Sequence, residues 1–294
     1  MKIDEGIDSR VENSESVILD YVVDELRQYR KDLGRIGFKG YTYRASLESE
    51  STKSHQHNCT MDTPMGAVKT ELGDLIISVD HILRERGQKS KILNGNSSII
   101  QVKREVFAKR GLSARQLYLM TQWPEFSYGH RPWKFNVFAD TFAFYMFVLD
   151  PSAQEPKSSI LSASMLTKFL GISKEDLLNN IRGTVPFSNL DILKKENIAG
   201  QPVPSFFAPY LLSIVCLSLG SSSLEFRRFL NQFFFPSMEE VEDCNLIAET
   251  QGVTRSYTDK HLHNEWPNKP QRAKKKDESG IRAVRLKLTL ERLE

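Results

Sequence analysis

Two short runs of alternating hydrophobicity near the middle of the chain constrain its fold more than any other feature. Leu75, Ile77 and Val79 alternate with Ile76, Ser78 and Asp80 from Asp74 onward, and a second run extends from about Ser98 to Lys103. A period of two marks a strand, because successive side chains leave opposite faces. The intervening residues 84–96 are polar, with Gly87, Gly95 and several cations, as suits a turn. An antiparallel hairpin centred near residues 88–89 sets Asp74 opposite Lys103 and Ile76 opposite Gln101. One face then collects Leu75, Ile77, Val79, Ile100 and Val102, ready to pack on helices. The other carries Asp74, Ile76, Ser78, Gln101 and Lys103, so an acid, an amide and an amine meet at one end.

That combination suits phosphodiester cleavage. A hard divalent ion needs oxygen ligands, which Asp74 and the side chain or backbone carbonyl at Gln101 can provide. The ion polarises the phosphate and readies a water, while a cation such as Lys103 stabilises the charge that develops in the transition state. The bland alternative is a surface hairpin whose Asp74 and Lys103 form an exposed ion pair worth ~0–1 kcal/mol.

The order Glu71-Leu-Gly-Asp74-Leu-Ile-Ile, a loop, then Ile99-Ile-Gln101-Val-Lys103 resembles the PD-(D/E)XK, or restriction-endonuclease-like, nuclease superfamily. The resemblance covers roughly residues 15–150, with detail between 70 and 104. It implies an α/β fold, a mixed sheet flanked by helices, here with a mainly helical C-terminal extension. It also implies an Mg²⁺- or Mn²⁺-dependent endonuclease acting on DNA, of restriction or phage-defence type, with Asp74, Gln101 and Glu71 as metal ligands and Lys103 as the catalytic cation. Gln101 stands where the family usually has Asp or Glu, as in Mrr-like members with QxK. The lost negative charge calls for another carboxylate. Glu71, three residues before Asp74, is preferred over Glu25, which lies on the apolar stripe of the first helix. Two rival readings are a catalytically inactive nuclease-fold scaffold and an RNA-acting nuclease. Duplex cleavage also raises a homodimer or a partner protein.

The remaining elements follow from periodicity. A helix is expected from Ser14 to Leu33, capped by Ser14, with Ile18, Tyr21, Val22, Leu26 and Tyr29 on one stripe and Gly34, Gly37 and Gly40 beyond its end. Residues 46–63 read as a loop. A helix over 113–121, buried strands over 142–149 and 160–165, helices over 173–182, 210–219 and 223–234, and a late alternating strand over 281–293 complete the pattern. The domain reading is a nuclease core over 14–165, a helical extension over 166–250 and a basic segment over 251–294.

Between Arg255 and Lys287 ten Lys/Arg face four Asp/Glu, although the whole chain is only +3. Such a surplus suits phosphate contacts or an ordinary solvated tail. No apolar run reaches the ~20 residues of a membrane span, and three scattered cysteines form no disulfide framework. With no leader pattern at residue 1, an intracellular, cytoplasmic protein without membrane contact is expected. His55, His57 and Cys59, even with His261 and His263, match no zinc spacing. Trp123, Phe126, Tyr128 and Trp133 read more readily as packing than as a base-stacking surface, though Arg131 and Lys134 beside them could line a cleft. Gln116 and Gln122 could lie beside a metal site, but nothing in the sequence decides it. Nucleophile-elbow and phosphate-loop motifs are absent.

Overall fold

A computed structural model describes residues 2–10, 14–28, 31–38, 41–54, 58–104, 111–137, 139–148, 158–187, 197–198, 201–202, 214, 220, 223–235, 242–243 and 280–293. The chain opens with α1 (Lys2–Asp8) and α2 (Glu15–Arg27), then β1 (Lys31–Phe38), β2 (Tyr41–Ser54), β3 (Asn58–Thr63), β4 (Gly66–Glu71), β5 (Leu75–Arg84) and β6 (Lys91–Arg104). Next come β7 (Leu112–Ser113), α3 (Ala114–Gln122), β8 (Phe126–Tyr128), β9 (Arg131–Trp133), α4 (Ala139–Phe142), β10 (Ala143–Val148), β11 (Ser158–Ser162), α5 (Ala163–Leu170) and α6 (Lys174–Asn179). After these follow β12 (Thr184–Val185), β13 (Asn197–Ile198), β14 (Gln201–Pro202), α7 (Leu224–Phe233), β15 (Glu242–Asp243) and β16 (Ile281–Arg292).

The fold is mixed α/β, built on one large mixed sheet flanked by a few helices. Its strands lie in the order β1-β2-β16-β5-β6-β10-β11, with β15 also paired to β6. β5 and β6 form the expected antiparallel hairpin, and β10 runs parallel to β6. Between these parallel neighbours the chain passes through α3, as a parallel connection requires a crossover. A smaller sheet, β4-β3-β8-β9, is antiparallel throughout.

Each face of the large sheet has its own core. On one, Leu75, Ile77, Val79, Ile100 and Val102 pack with Ile18, Leu19, Val22 and Leu26 of α2 and with Ile3 and Ile7 of α1. This is the apolar set the alternation predicts. On the other, Ile76, Ile99, Tyr145 and Ala283 join Leu117 and Met120 of α3 and an aromatic cluster of Trp123, Phe126, Phe135, Phe142, Phe226 and Phe229. Phe226 and Phe229 come from α7, whose cap Ser223 accepts a hydrogen bond from the Phe226 N–H at 3.3 Å.

Several expectations need correction. The hairpin is slipped by two residues: Leu75 pairs with Ile100 and Ile76 with Ile99, rather than Asp74 with Lys103 and Ile76 with Gln101. An even slip keeps every side chain on its expected face, which is why the two cores still form. The register shifts again between His81 and Ile82, where Leu93 is left over and stays exposed. The first helix ends at Arg27, not Leu33, and 31–38 is a strand. Gly34 and Gly37 would each weaken a helix by ~1 kcal/mol, and Gly34, at φ +87°, instead sits at a bulge against β2. Much of the expected loop 46–63 is strand, in β2 and β3. β2 hides its nature because its polar side chains have charged cross-strand neighbours: Glu50 meets Lys287 at 2.9 Å and Arg285 at 3.5 Å. The strand expected over 160–165 ends at Ser162, which caps α5 by accepting from the Met165 N–H at 3.1 Å.

The late strand is present as β16, and it lies inside the sheet, parallel to β5 and antiparallel to β2. The middle of the sheet therefore comes from the stretch 251–294 that charge alone sets apart. Of the expected helix 210–219 only Ile214 is described, and residues 251–279, with the basic cluster Lys274–Lys276, lie outside the described residues. No helix among the described residues is long and apolar enough to cross a membrane.

Arg285 of β16 is fully buried. Its guanidinium lies 3.3 Å from the buried Asp80 of β5, donates to Asn231 Oδ1 of α7 at 2.8 Å and stacks over Phe235 at 4.4 Å. Burial lowers its pKa, and Asp80 and Glu50 oppose that shift. Removing one member of a buried pair leaves an uncompensated charge, typically at ~3–5 kcal/mol. Arg285→Ala is therefore expected to destabilise the protein by about that much. A double-mutant cycle with Asp80→Asn in urea should show a coupling above ~1 kcal/mol. Additive single-variant effects would show that the pair does not join β16 to β5.

Candidate functional site

Asp74 stands at the entrance of β5, gripped by both neighbouring strands. Its N–H donates to the Ile100 carbonyl at 2.9 Å, and its carbonyl accepts from the Arg282 N–H at 3.0 Å. The residue before it must be glycine, since a Cβ on Gly73 would lie 2.5 Å from Ile99 Cγ2. The motif spacing Gly-Asp thus has a packing cause: the chain enters the sheet too close to β6 for a side chain.

The Asp74 carboxylate turns toward β6. Its Oδ2 accepts from the Val102 N–H at 2.8 Å and from the Gln101 side-chain amide. Gln101, itself buried, accepts at Oε1 from the side-chain amide of Gln116, also buried, on α3. Its own NH₂ makes a further long contact of 3.4 Å with the Val102 carbonyl. A polar chain, Asp74–Gln101–Gln116, therefore crosses from β5 through β6 to α3 inside an otherwise apolar layer.

Charges around the carboxyl act in opposite directions. Asp74 keeps part of its surface, yet its carboxyl is enclosed, and burial pushes its pKa up to about 7. The half-buried Lys103 and the Val102 N–H pull it down, and Glu71 and Glu15 push it further up. Desolvation wins, because a carboxylate loses more on leaving water than one cation and one amide restore.

Of the residues the sequence points to, Asp74 and Gln101 are in direct contact, and Lys103 is close enough for its charge to act on Asp74. Glu71, exposed at the end of β4, acts on Asp74 only through its charge. The charge of Glu25 bears on Tyr21 and is not among those acting on Asp74. The helical carboxylate that does bear on the site is Glu15, whose Oε1 accepts from the Arg104 N–H at 2.9 Å. Arg282 explains its position. The Arg282 side chain donates to Ser16 Oγ at 2.7 Å and to Asp20 Oδ1 at 2.6 Å, tying the first turn of α2 to the strand that holds Asp74. The cap Ser14 was the only sequence signal placing Glu15 at a helix start.

Tyr145 carries no sequence signal. It pairs with Gln101 across the parallel β6–β10 ladder, and its hydroxyl is buried without a hydrogen-bond partner among the described residues. Burial raises its pKa, helped by the charges of Asp74 and Glu71.

The weaker sequence signals settle into the core. Trp123, Phe126 and Tyr128 are buried, and Trp133 packs edge-on against Phe229 with ring centres 5.2 Å apart. Arg131 and Lys134 are exposed. Cys59 is buried, and burial raises its thiol to about 12. His55, His57, His261 and His263 lie outside the described residues. Among the described residues, no three His, Cys, Asp or Glu side chains gather as a ready metal cluster. Comparison with known protein families, curated proteins and solved structures finds no match to this chain.

The Asp74 carboxyl yields a stability test. An aspartate in the unfolded chain ionises near ~4, whereas Asp74 in the folded protein ionises at about 7. The folded form thus holds an extra proton between those values. Its contribution is fully present below ~4 and is lost as pH rises through about 7. Urea midpoints at pH 5 and pH 8 are expected to show Asp74→Asn gaining stability over wild type at the higher pH. An identical wild-type-to-variant difference at both pH values would show that the carboxyl is not desolvated.

Proposed function

We propose that this chain is a divalent-metal-dependent nuclease of the PD-(D/E)XK, restriction-endonuclease-like type, and that it hydrolyses DNA phosphodiester bonds. The observation that carries the reading is the contact of Asp74 with Gln101 where two adjacent central strands meet, with the charge of Lys103 acting on Asp74. The order Asp-bearing strand, QxK-bearing strand, crossover helix, parallel strand supports it as well. A restriction or phage-defence role follows by family analogy alone.

The residues present suit a hard cation in one respect: Asp74 is a desolvated carboxylate whose ionised form lacks full compensation, and a divalent ion would supply it. Asp74 and the Gln101 amide oxygen would hold Mg²⁺ or Mn²⁺, with Glu71 and Glu15 adding negative field. When bound, the ion supplies polarisation of the phosphate and activation of a water. Lys103 sits on the Gln101 face of β6, one alternate position on, where its ammonium can stabilise negative charge on the phosphate oxygens. α3 backs the amide of Gln101 through Gln116.

A second reading has its own support. Gln101 presents an N–H to Asp74, so the two satisfy each other without an ion, as expected of a nuclease-fold scaffold that binds partners and cuts nothing. Incubating the purified protein with duplex DNA and with matched RNA, each with Mg²⁺ or Mn²⁺, separates the readings. Cleavage of DNA is expected, falling at least ~100-fold in Asp74→Ala and in Lys103→Ala. Equal behaviour of wild type and both variants would refute the nuclease. Cleavage of RNA alone would move the substrate class, and calorimetry without heat of Mg²⁺ or Mn²⁺ binding at millimolar concentration would favour the scaffold.

A further inference from the structure

We propose that Gln116 is a positioning residue that sets which end of the Gln101 amide faces Asp74, and that the two amides reverse together when a divalent cation binds. The inference rests on the nuclease reading and concerns residues that reading leaves passive.

A primary amide has a donor end and an acceptor end of nearly equal size. Gln101 turns its donor end to Asp74 and its acceptor end to the donor of Gln116. Rotating both amides by half a turn keeps the inter-glutamine hydrogen bond with its direction exchanged: Gln101 would donate and Gln116 would accept. Two contacts change character, because the Gln101 NH₂ that faces Asp74 also makes the long 3.4 Å contact with the Val102 carbonyl, which the Gln101 oxygen would then face as well. The Gln101 oxygen would then face the Asp74 carboxylate, which is repulsive unless a cation lies between them. With a cation there, two oxygens face one hard ion, the arrangement such ions prefer. The polarity of the chain therefore reports what occupies the position between Asp74 and Gln101.

Burial makes the coupling strict. Gln101 and Gln116 are at most 3% exposed, so bulk water cannot satisfy an amide left in the wrong sense, and a mismatched pair would set two N–H or two C=O groups against each other. If Gln101 turns, Gln116 must follow. An asparagine would be too short to reach from α3, and an aliphatic residue could not answer at all. This gives a physical reason for an amide, rather than a carboxylate, at position 101. Glu in its ionised form only accepts, so without a cation it would confront Asp74 charge to charge in a desolvated site. Gln can face either an acid or a cation. The buried Tyr145 hydroxyl is consistent with a site not closed upon itself: it is a polar group on the same wall, unanswered among the described residues.

The test uses the full chain labelled with ¹³C and ¹⁵N, the Gln101 and Gln116 NH₂ resonances being assigned on wild type from their through-bond links to the backbone. Mg²⁺ is titrated while affinity is followed by calorimetry. Both NH₂ resonances are expected to move along one curve, with the midpoint that calorimetry gives. Gln116→Met is expected to weaken Mg²⁺ binding by about tenfold, as loss of a group orienting a ligand does. Mg²⁺ binding with the Gln116 resonance unmoved sinks the relay and leaves the nuclease reading standing. Absence of any Mg²⁺ binding sinks both. Because the titration of the resonances is made on wild type, it still decides the matter if the Gln116→Met protein fails to fold.

Discussion

The sheet holds together because β16 fills the gap between β2 and β5. Without it, β1 and β2 would have no strand pairing to the rest of the large sheet among the described residues, and the backbone of Asp74 would lose the Arg282 amide that anchors it. Two arginines make the insertion specific. Arg282 reaches out to α2 on one face, while Arg285 is buried on the other against Asp80, Asn231 and Phe235. The strand carries cations on both faces, and each face answers them differently: α2 supplies Asp20 to Arg282, while β2 and β5 supply Glu50 and Asp80 to Arg285. Packing, register and the placement of the candidate site thus trace to the same strand.

The polar chain from Asp74 to Gln116 is the second consequence. A buried carboxylate is costly unless it is protonated, paired or bound to a cation, and here its neighbours divide that task unevenly. Val102 and Gln101 donate to it, Lys103 attracts it, and Glu15 and Glu71 repel it. The balance leaves a group whose protonation is poised near neutrality, an arrangement more typical of functional sites than of structural ion pairs.

Much of this was legible in the residues. The hairpin faces, the crossover helix and the late strand follow from periods of two and 3.6, which burial enforces locally. What stayed hidden depends on partners distant in the chain. β2 reads as a loop because Glu48 and Glu50 look solvated until Lys287 and Arg285 are placed beside them. The two-residue slip of the hairpin was invisible because an even slip leaves the hydrophobic pattern unchanged. Asp74, Gln101 and Lys103 could be grouped from alternation alone. Glu15 and Tyr145 could not, as their positions follow from α2 docking on Arg282 and from β10 pairing with β6. Gln116 could be suspected from its helix but not oriented.

The position of β16 bears on how such a chain is made. The ladder joining β5 to β16 closes a loop of roughly 200 residues, and contacts of such sequence separation form slowly because closure entropy must be met first. During synthesis from the N-terminus, β5 waits with one edge bare, long after its hairpin partner β6 has emerged. An uncovered edge is a template for pairing with other chains. The same strand that organises the finished molecule therefore leaves the β5 edge unpaired until the residues after 280 have been made.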